Sequence, residues 1–324
     1  MNVLVTGAGG FIGSHVTQAL VARGAQVRAF VRYNSRGDHG YLSALSAVES
    51  QSVEIVAGDL RDEDAVRRAC LGCSVVLHLG ALIAIPYSYR NPRDAVETNV
   101  LGTLNVLEGA RATGVARVVH ISSSEVYGSA RFVPITEAHP LQGQSPYSAS
   151  KIAADKLAES YYRSFALPVV TVRPFNTYGP RQSARAVIPT IVSQVLSRGE
   201  VELGSLAPRR DFTYVADTVE GIILASEVGG VEGATVNLGT GKDISIGELT
   251  QTILRILEVN ALVRESSDRV RPALSEVDRL QSDNSLAREM LGWRPEVGLE
   301  QGLRTTISWI QENLGGLRPG VYQT

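Results

Sequence analysis

The chain has 324 residues, of which 44% are hydrophobic and 20% charged, and its net charge is −2. This is the composition of a folded globular protein, long enough for one large α/β domain or two lobes. The mild acidity excludes nucleic acid or an anionic membrane surface as the main partner. No stretch of about 18 apolar residues could cross a bilayer, and the N-terminus runs straight into a strand pattern rather than a signal peptide. Cys70 and Cys73 form a C-x-x-C with no second pair, and none of the five histidines stands at ligand spacing to it. A structural role and no metal is the expectation. Together these features imply a protein of the reducing cytoplasm.

Asn2 to Thr6 reads as a buried strand, followed by a glycine-rich turn and a helix to about Arg23. Gly7, Gly10 and Gly13 have G-x-x-G-x-x-G spacing, with Phe11 and Ile12 inside the pattern. After a strand and before a helix, such a turn lets a pyrophosphate reach backbone N–H groups at a helix N-terminus. A dinucleotide site is therefore expected here. Gln26 to Val31 is the second strand. NAD enzymes usually place an acid at its end to hold the ribose 2′-OH. Here the chain reads Arg32-Tyr33-Asn34-Ser35-Arg36 instead. Arg32, Asn34, Ser35 and Arg36 are taken as cofactor contacts, and the cofactor as NAD(P), leaning to NADP; an Arg32 that only stacks on adenine would suit either form.

Val53 to Ala57 is a third strand, ending at Asp59-Leu60, and Asp59 can meet adenine or cap the next helix. Val75 to Leu79 is a fourth, followed by Gly80-Ala81, small enough for a cofactor to lie close. A long helix from Arg93 to Gly114 carries Asn99, an ordinary helix polar residue or a brace near the site. Arg117 to Ile121 is a fifth strand, leading into Ser122-Ser123-Ser124-Glu125. Hydroxyls just past a parallel strand lie where α/β sheets place ligands, although serines also serve turns and caps.

Tyr147 and Lys151 then stand four residues apart at the start of a helix reaching about Phe165. That spacing puts both on one face, about 5–6 Å apart at Cβ. A lysine ammonium there is expected to favour the phenolate and make Tyr147 a usable base. Val169 to Val172 is a sixth strand. Beyond Arg173-Pro174-Phe175-Asn176 the βα alternation becomes irregular, with a helix over 187–198, a strand over 209–215, a helix over 217–226 and a capping box at Ser245/Glu248. No repeat or low-complexity linker interrupts the chain. The fold expected is α/β, a Rossmann-type doubly wound parallel sheet with a smaller interleaved α/β lobe. Residues 1–175 and about 211–240 are assigned to the cofactor domain, and 176–210 and 241–324 to the substrate lobe.

The glycine turn, Asp59-Leu60, Ser123, Tyr147-x-x-x-Lys151 and Arg173-Pro174-Phe175-Asn176-x-Tyr178-Gly179-Pro180, in this order, resemble the extended short-chain dehydrogenase/reductases. The resemblance runs from residue 2 to Leu291-Gly292-Trp293. Ser-Ser-Glu followed by Val-Tyr-Gly is similar to the dehydratase and decarboxylase branch. The triplet departs from the dTDP-glucose type, which has Asp where Ser124 stands, and is nearer the GDP-mannose 4,6-dehydratases. The run from Asn176 through Arg185 and Val187 to Pro189, with Arg210-Asp211-Phe212, most resembles dehydratases acting on nucleotide-linked N-acetylglucosamine in legionaminic-type pathways.

This resemblance implies a lyase that oxidises the sugar at C4, removes water across C5 and C6, and consumes no external reductant. Tyr147 would be the base at the 4-hydroxyl with Lys151 beside it, Ser123 a donor to the same oxygen, Glu125 the base at C5, and Ser124 a positioning group. Leu79, Gly80, Ala81, Asn99 and Ser122 would join the cofactor contacts. The nucleotide-diphosphate sugar would be met by Asn176, Val187 and Glu276, and by two of Arg181, Arg185, Arg210 and Arg271, because guanidinium forks match phosphate oxygens. Pro86, Tyr87 and Ser88 would wall the sugar pocket. A 4-epimerase would use the same Tyr and Lys but no base at C5, and a UDP-glucuronate decarboxylase would need a cation for its carboxylate. A cofactor-sensing regulator, the reading from another class, would be expected to have lost the Tyr/Lys pair. Relatives pair the helices equivalent to 93–114 and 147–165, which implies a homodimer.

Overall fold

A computed structural model describes residues 1–266, 269 and 271–316. Among them are twelve strands: β1 (Asn2–Thr6), β2 (Gln26–Arg32), β3 (Val53–Gly58), β4 (Val75–His78), β5 (Arg117–Ile121), β6 (Val169–Pro174), β7 (Asn176–Tyr178), β8 (Glu200–Leu203), β9 (Arg209–Tyr214), β10 (Thr235–Leu238), β11 (Asp243–Ser245) and β12 (Leu262–Glu265). Seven form one sheet in the order β10-β6-β5-β4-β1-β2-β3, and every pairing in it is parallel. Parallel strands are covered on both faces, which is why β1, β4 and β5 read as nearly unbroken apolar runs. The strand order reverses beside β1, so the crevice past the ends of β1 and β4 is where such a sheet takes a ligand.

Two apolar layers flank the sheet. One joins Val3, Val5, Leu20 and Val172 to Ile222, Leu238, Leu291 and Trp293, and the other joins Leu4, Val76 and Val118 to Leu107, Ala158 and Tyr161. Each fully buried aliphatic side chain contributes about 1.5–3 kcal/mol. A separate core of Tyr178, Ile188, Ile191, Leu249, Ile253, Leu303 and Ile307 holds the smaller lobe, with its β11-β9-β7 sheet and β12-β8 pair.

The chain divides between the lobes differently from expectation in two places. Residues 209–214 form β9 in the small sheet, whereas Leu291 and Trp293, from the C-terminal part, pack under the large one. A buried polar tie is present in each place. Asp211 accepts from Thr240 N (2.8 Å), Gly241 N (2.8 Å) and Ser282 N (3.1 Å), and the Trp293 indole donates to Asp217 O at 2.8 Å.

The Pro146–Phe165 helix carries the Tyr/Lys pair. Ser145 caps it by accepting from Ser148 N at 3.1 Å, and Pro146 at its first position has no N–H to leave unpaired. Its inward face is unusually polar, with Tyr147, Ser150, Lys151 and Asp155 buried beside Ala154 and Ala158. The helix expected from 93 to 114 is built as Pro92–Val96, a π-turn over Glu97–Leu101, and Gly102–Thr113. The π-turn aims the Asn99 side chain inward.

Candidate active site

A cleft of about 630 Å³ runs from the glycine turn, past the ends of β4 and β5, to Glu125 and the start of the small lobe. The turn fits a dinucleotide. Gly7 has φ of +70°, and a Cβ there would stand 2.9 Å from Gly80 Cα. A Cβ on Gly13 would come within 2.2 Å of Gly7 O, so only glycine lets the Phe11–Ala22 helix pack this closely and aim its N-terminus at the cleft. Gly7, Gly10, Phe11, Ile12, Gly13, Leu79, Gly80, Ala81 and Ser122 all line the cleft.

Asp59 and Leu60 lie at a smaller pocket of about 200 Å³ with Arg32, Gly80 and Ala81. Arg61 takes up Asp59, donating to its carboxylate at 2.6 Å, and holds that carboxyl below its usual range. The expected capping of the next helix falls to Asp62, which accepts from Ala65 N at 3.0 Å. Asn34 closes its own loop, donating to Asp38 O at 2.6 Å and accepting from Arg36 N and Asp38 N. Arg32 and Asn34 line the cleft, while Ser35 and Arg36 are exposed outside its lining. The folded-back loop brings Asp38, His39 and Gly40 to the cleft wall, tied by Tyr41 N donating to Gly9 O at 3.0 Å. Sequence reading found no carboxylate at this end because Asp38 lies beyond the strand end and reaches the cleft only through that fold.

Ser123, Ser124, Glu125, Tyr147 and Lys151 converge at the other end. Ser123 caps a short 3₁₀ turn, accepting from Glu125 N at 3.2 Å, which fixes the Glu125 backbone beside Tyr147. Lys151 is 3% exposed and donates to Ile121 O at 2.7 Å. Burial lowers its ammonium to about 8, with Asp155 opposing. In the protein without cofactor the Tyr147 phenol is not lowered: burial pushes it up to about 12, and the Ser123 hydroxyl only partly offsets this. In the protein alone the Lys151 ammonium is directed at a carbonyl, and desolvation dominates the phenol.

On the substrate side, Asn176 lines the cleft, and Arg210, Arg271 and Glu276 gather around Glu125. Arg210 Nη2 stands 3.4 Å from Glu276 Oε1, and Arg271 Nη1 stands 3.7 Å from Glu125 Oε2. Arg271 Nη1 and Asn176 Oδ1 are buried without a hydrogen-bond partner. The expected contacts Ser35, Arg36, Asp59, Leu60, Pro86, Ser88, Asn99, Arg185, Val187, Arg210, Arg271 and Glu276 lie outside the cleft lining. Asn99 is a brace, accepting from Leu82 N (2.7 Å) and donating to Ser150 Oγ (2.9 Å). Ser88 is fully buried and bonded to Ile85 O and Tyr147 N, which positions the catalytic helix. Pro86 is half-buried in a short helix, Arg185 is exposed, and Val187 opens the next helix. Tyr87 pairs with Asp94, and Arg181 clamps the small lobe to Ser14 and Gln18. Phe175, Thr177, Gln182 and Ser183 also line the cleft and were missed, because nothing local marks a loop as facing a ligand.

A doubly wound sheet with a dinucleotide turn, and a Tyr/Lys pair beside a serine and a carboxylate, defines an enzyme of the extended short-chain dehydrogenase/reductases, in their NAD-dependent epimerase/dehydratase group. The profile of the GDP-mannose 4,6-dehydratase family matches residues 4–306, and the chain belongs to that family. It is 33% identical to the UDP-glucose 4-epimerase of Mycolicibacterium smegmatis over 318 residues, covering 96% of this chain and 99% of that one. It is 33% identical to the dTDP-glucose 4,6-dehydratase of Streptomyces antibioticus over 324 residues, covering 98% and 95%. The solved dTDP-glucose 4,6-dehydratase DesIV of Streptomyces venezuelae, with NAD bound, superposes with a TM-score of 0.90 at 33% identity, covering 98% of this chain and 99% of that one.

Proposed function

We propose that this enzyme is a nucleotide-sugar 4,6-dehydratase, acting on a GDP- or UDP-linked N-acetylglucosamine and making the 4-keto-6-deoxy sugar. The observation that carries the reading is Glu125, a carboxylate in the same cleft as Tyr147, Lys151 and Ser123; an epimerase has no task for it. Bound NAD(P)⁺ would accept a hydride from C4, return it to C6, and lend positive charge beside the phenol. Tyr147 Oη takes the proton of the 4-hydroxyl, and Ser123 Oγ donates to the same oxygen as it becomes a carbonyl. Glu125 removes the proton from C5 and passes it to the departing C6 hydroxyl, with the buried Ser124 beside it; a solvent proton delivered through Glu125 completes C5 as the hydride returns to C6, and Tyr147 gives its proton back to solvent. Arg210 and Arg271 hold the diphosphate, and Glu276 accepts from the nucleotide ribose.

The preference for NADP rests on Arg32, and Asp38 in the same cleft weighs against a 2′-phosphate; relative affinity for the two cofactors is the measurement that decides. The remainder of the reading is a cytoplasmic homodimer paired through the helices at 92–113 and 146–165, with residues 176–210 and most of 241–316 forming the nucleotide-sugar lobe. A second reading, UDP-glucuronate decarboxylation, is favoured by Arg271 at 3.7 Å from Glu125, a cation where a C6 carboxylate would sit. Mass spectrometry of the enzyme with GDP- and UDP-N-acetylglucosamine and UDP-glucuronate, without reductant, tests both. Loss of one water from an N-acetylglucosamine substrate supports the dehydratase. Loss of carbon dioxide supports the second reading, and a new stereoisomer of unchanged mass means an epimerase.

A further inference from the structure

Tyr147, Lys151 and Asp155 follow one another at i, i+4 and i+8 on a single face of the Pro146–Phe165 helix, and all three are buried. The first two belong to the reaction. Asp155 is not part of the cleft lining, although Ser122 of that lining lies against it, and its carboxylate is held from two strands. Its Oδ1 meets His120 Nε2 at 3.1 Å, and its Oδ2 meets Arg173 Nε at 3.0 Å and Nη2 at 2.9 Å. Arg173 also donates to Tyr127 Oη at 2.9 Å, and that hydroxyl donates to Asn237 Oδ1 at 2.7 Å. The carboxylate is thus fixed from β5 and from β6, and its guanidinium partner is fixed in turn.

A buried ammonium is costly unless a negative charge stands near it. Around Lys151 are His78 on β4, His120 on β5, Arg173 on β6, Glu125 on the 3₁₀ turn, and Tyr147 and Asp155 on its own helix. Burial and the Lys151 charge keep both histidines below their usual range, so neither adds a cation, and Arg173 is already taken by Asp155. Asp155 is the anion that stands one helical turn from the ammonium. We propose that Asp155, clamped by Arg173 and His120, is a positioning residue for the reaction, whose fixed negative charge keeps Lys151 protonated beside Tyr147. Without it Lys151 would hold its proton less firmly, and a phenolate formed at Tyr147 would have less cation beside it. This inference rests on the catalytic reading of Tyr147 and Lys151.

The chain has only three lysines, Lys151, Lys156 and Lys242. Lysine labelled with ¹³C at Cε therefore gives three resonances, and Lys151→Met assigns the one of interest. In the wild-type protein without cofactor its midpoint is expected near 8. In Asp155→Asn it should fall by about one pH unit or more, and Asp155→Glu should restore most of the shift. If Asp155→Asn does not fold, Asp155→Asn/Arg173→Met removes both buried charges together; the midpoint should still fall, by less, because a cation leaves with the nearer anion. An unchanged midpoint in whichever of the two folds overturns the proposal and leaves Asp155 a structural tie. Turnover by Tyr147→Phe at the wild-type rate would instead sink the catalytic reading, with the lysine midpoints unaffected.

Discussion

The two sides of the cleft are held in opposite ways. Behind the Tyr/Lys pair, buried polar groups meet at hydrogen-bond distance: Asp155 to His120 and Arg173 at 2.9–3.1 Å, Arg173 to Tyr127 at 2.9 Å, Tyr127 to Asn237 at 2.7 Å. His120 Nδ1 is the member of that network left without a partner. Around Glu125 the charges stand further apart, Arg210 to Glu276 at 3.4 Å, Arg271 to Glu125 at 3.7 Å and Arg271 to Glu276 at 4.0 Å, with Arg271 Nη1 and Asn176 Oδ1 unmet. Closed pairs need no ligand, because each desolvated charge already has its counter-charge. Loose pairs with unmet donors leave guanidinium groups free to turn toward an anion. The first side sets the reactivity of groups already in place; the second waits for a substrate.

Substitutions on each side should therefore fail differently. Tyr147→Phe is expected to lose the most, about a thousandfold in kcat, with nucleotide-sugar affinity by calorimetry unchanged; near-normal turnover would break the assignment. Glu125→Gln comes next. It should still bind the nucleotide sugar, while water loss followed by mass spectrometry falls about a hundredfold or more. Full dehydration by that variant would remove Glu125 from its role. Arg271→Met should act on binding, raising KM about tenfold to a hundredfold with kcat within a few-fold. A drop confined to kcat would move Arg271 from the diphosphate to the reacting end.

The smallest effect concerns stability. Burial alone would raise the Asp155 carboxyl, but His120 and Arg173 outweigh it and hold the group at about 2 against an ordinary 3.8. A lowered carboxyl stabilises the fold above its unfolded value and loses that contribution as pH falls through its folded value. About 2 kcal/mol should therefore vanish between roughly pH 4 and pH 2. The measurement is urea unfolding of wild type across that range, with Asp155→Asn as the reference that lacks this component. Equal slopes in the two proteins would mean that Asp155 is not held low.

Legibility differed between the same two sides. The glycine turn, the serine run with Glu125, and Tyr147/Lys151 announce themselves because each is a local pattern on one element. Asp155 follows the same four-residue spacing past Lys151 and could have been read, but its partners are 35 and 18 residues distant on different strands. Ser88, expected at the ligand, faces inward and holds backbone instead, while Asn99, expected as a cofactor contact or a brace, is the brace. Polar residue type alone does not say which way a helix is turned.

The order of apolar runs, turns and caps in this chain was enough to determine a parallel sheet with a dinucleotide crevice, because those signals act over a few residues and survive any packing. What the carboxylates of this region meet was decided only in three dimensions. Asp38 arrives through a loop folded back over Gly9, Glu125 meets Arg271 from the far end of the chain, and Asp155 meets a guanidinium from β6. Charge–charge energy depends on separation and desolvation in space, and neither quantity exists until the lobes have packed.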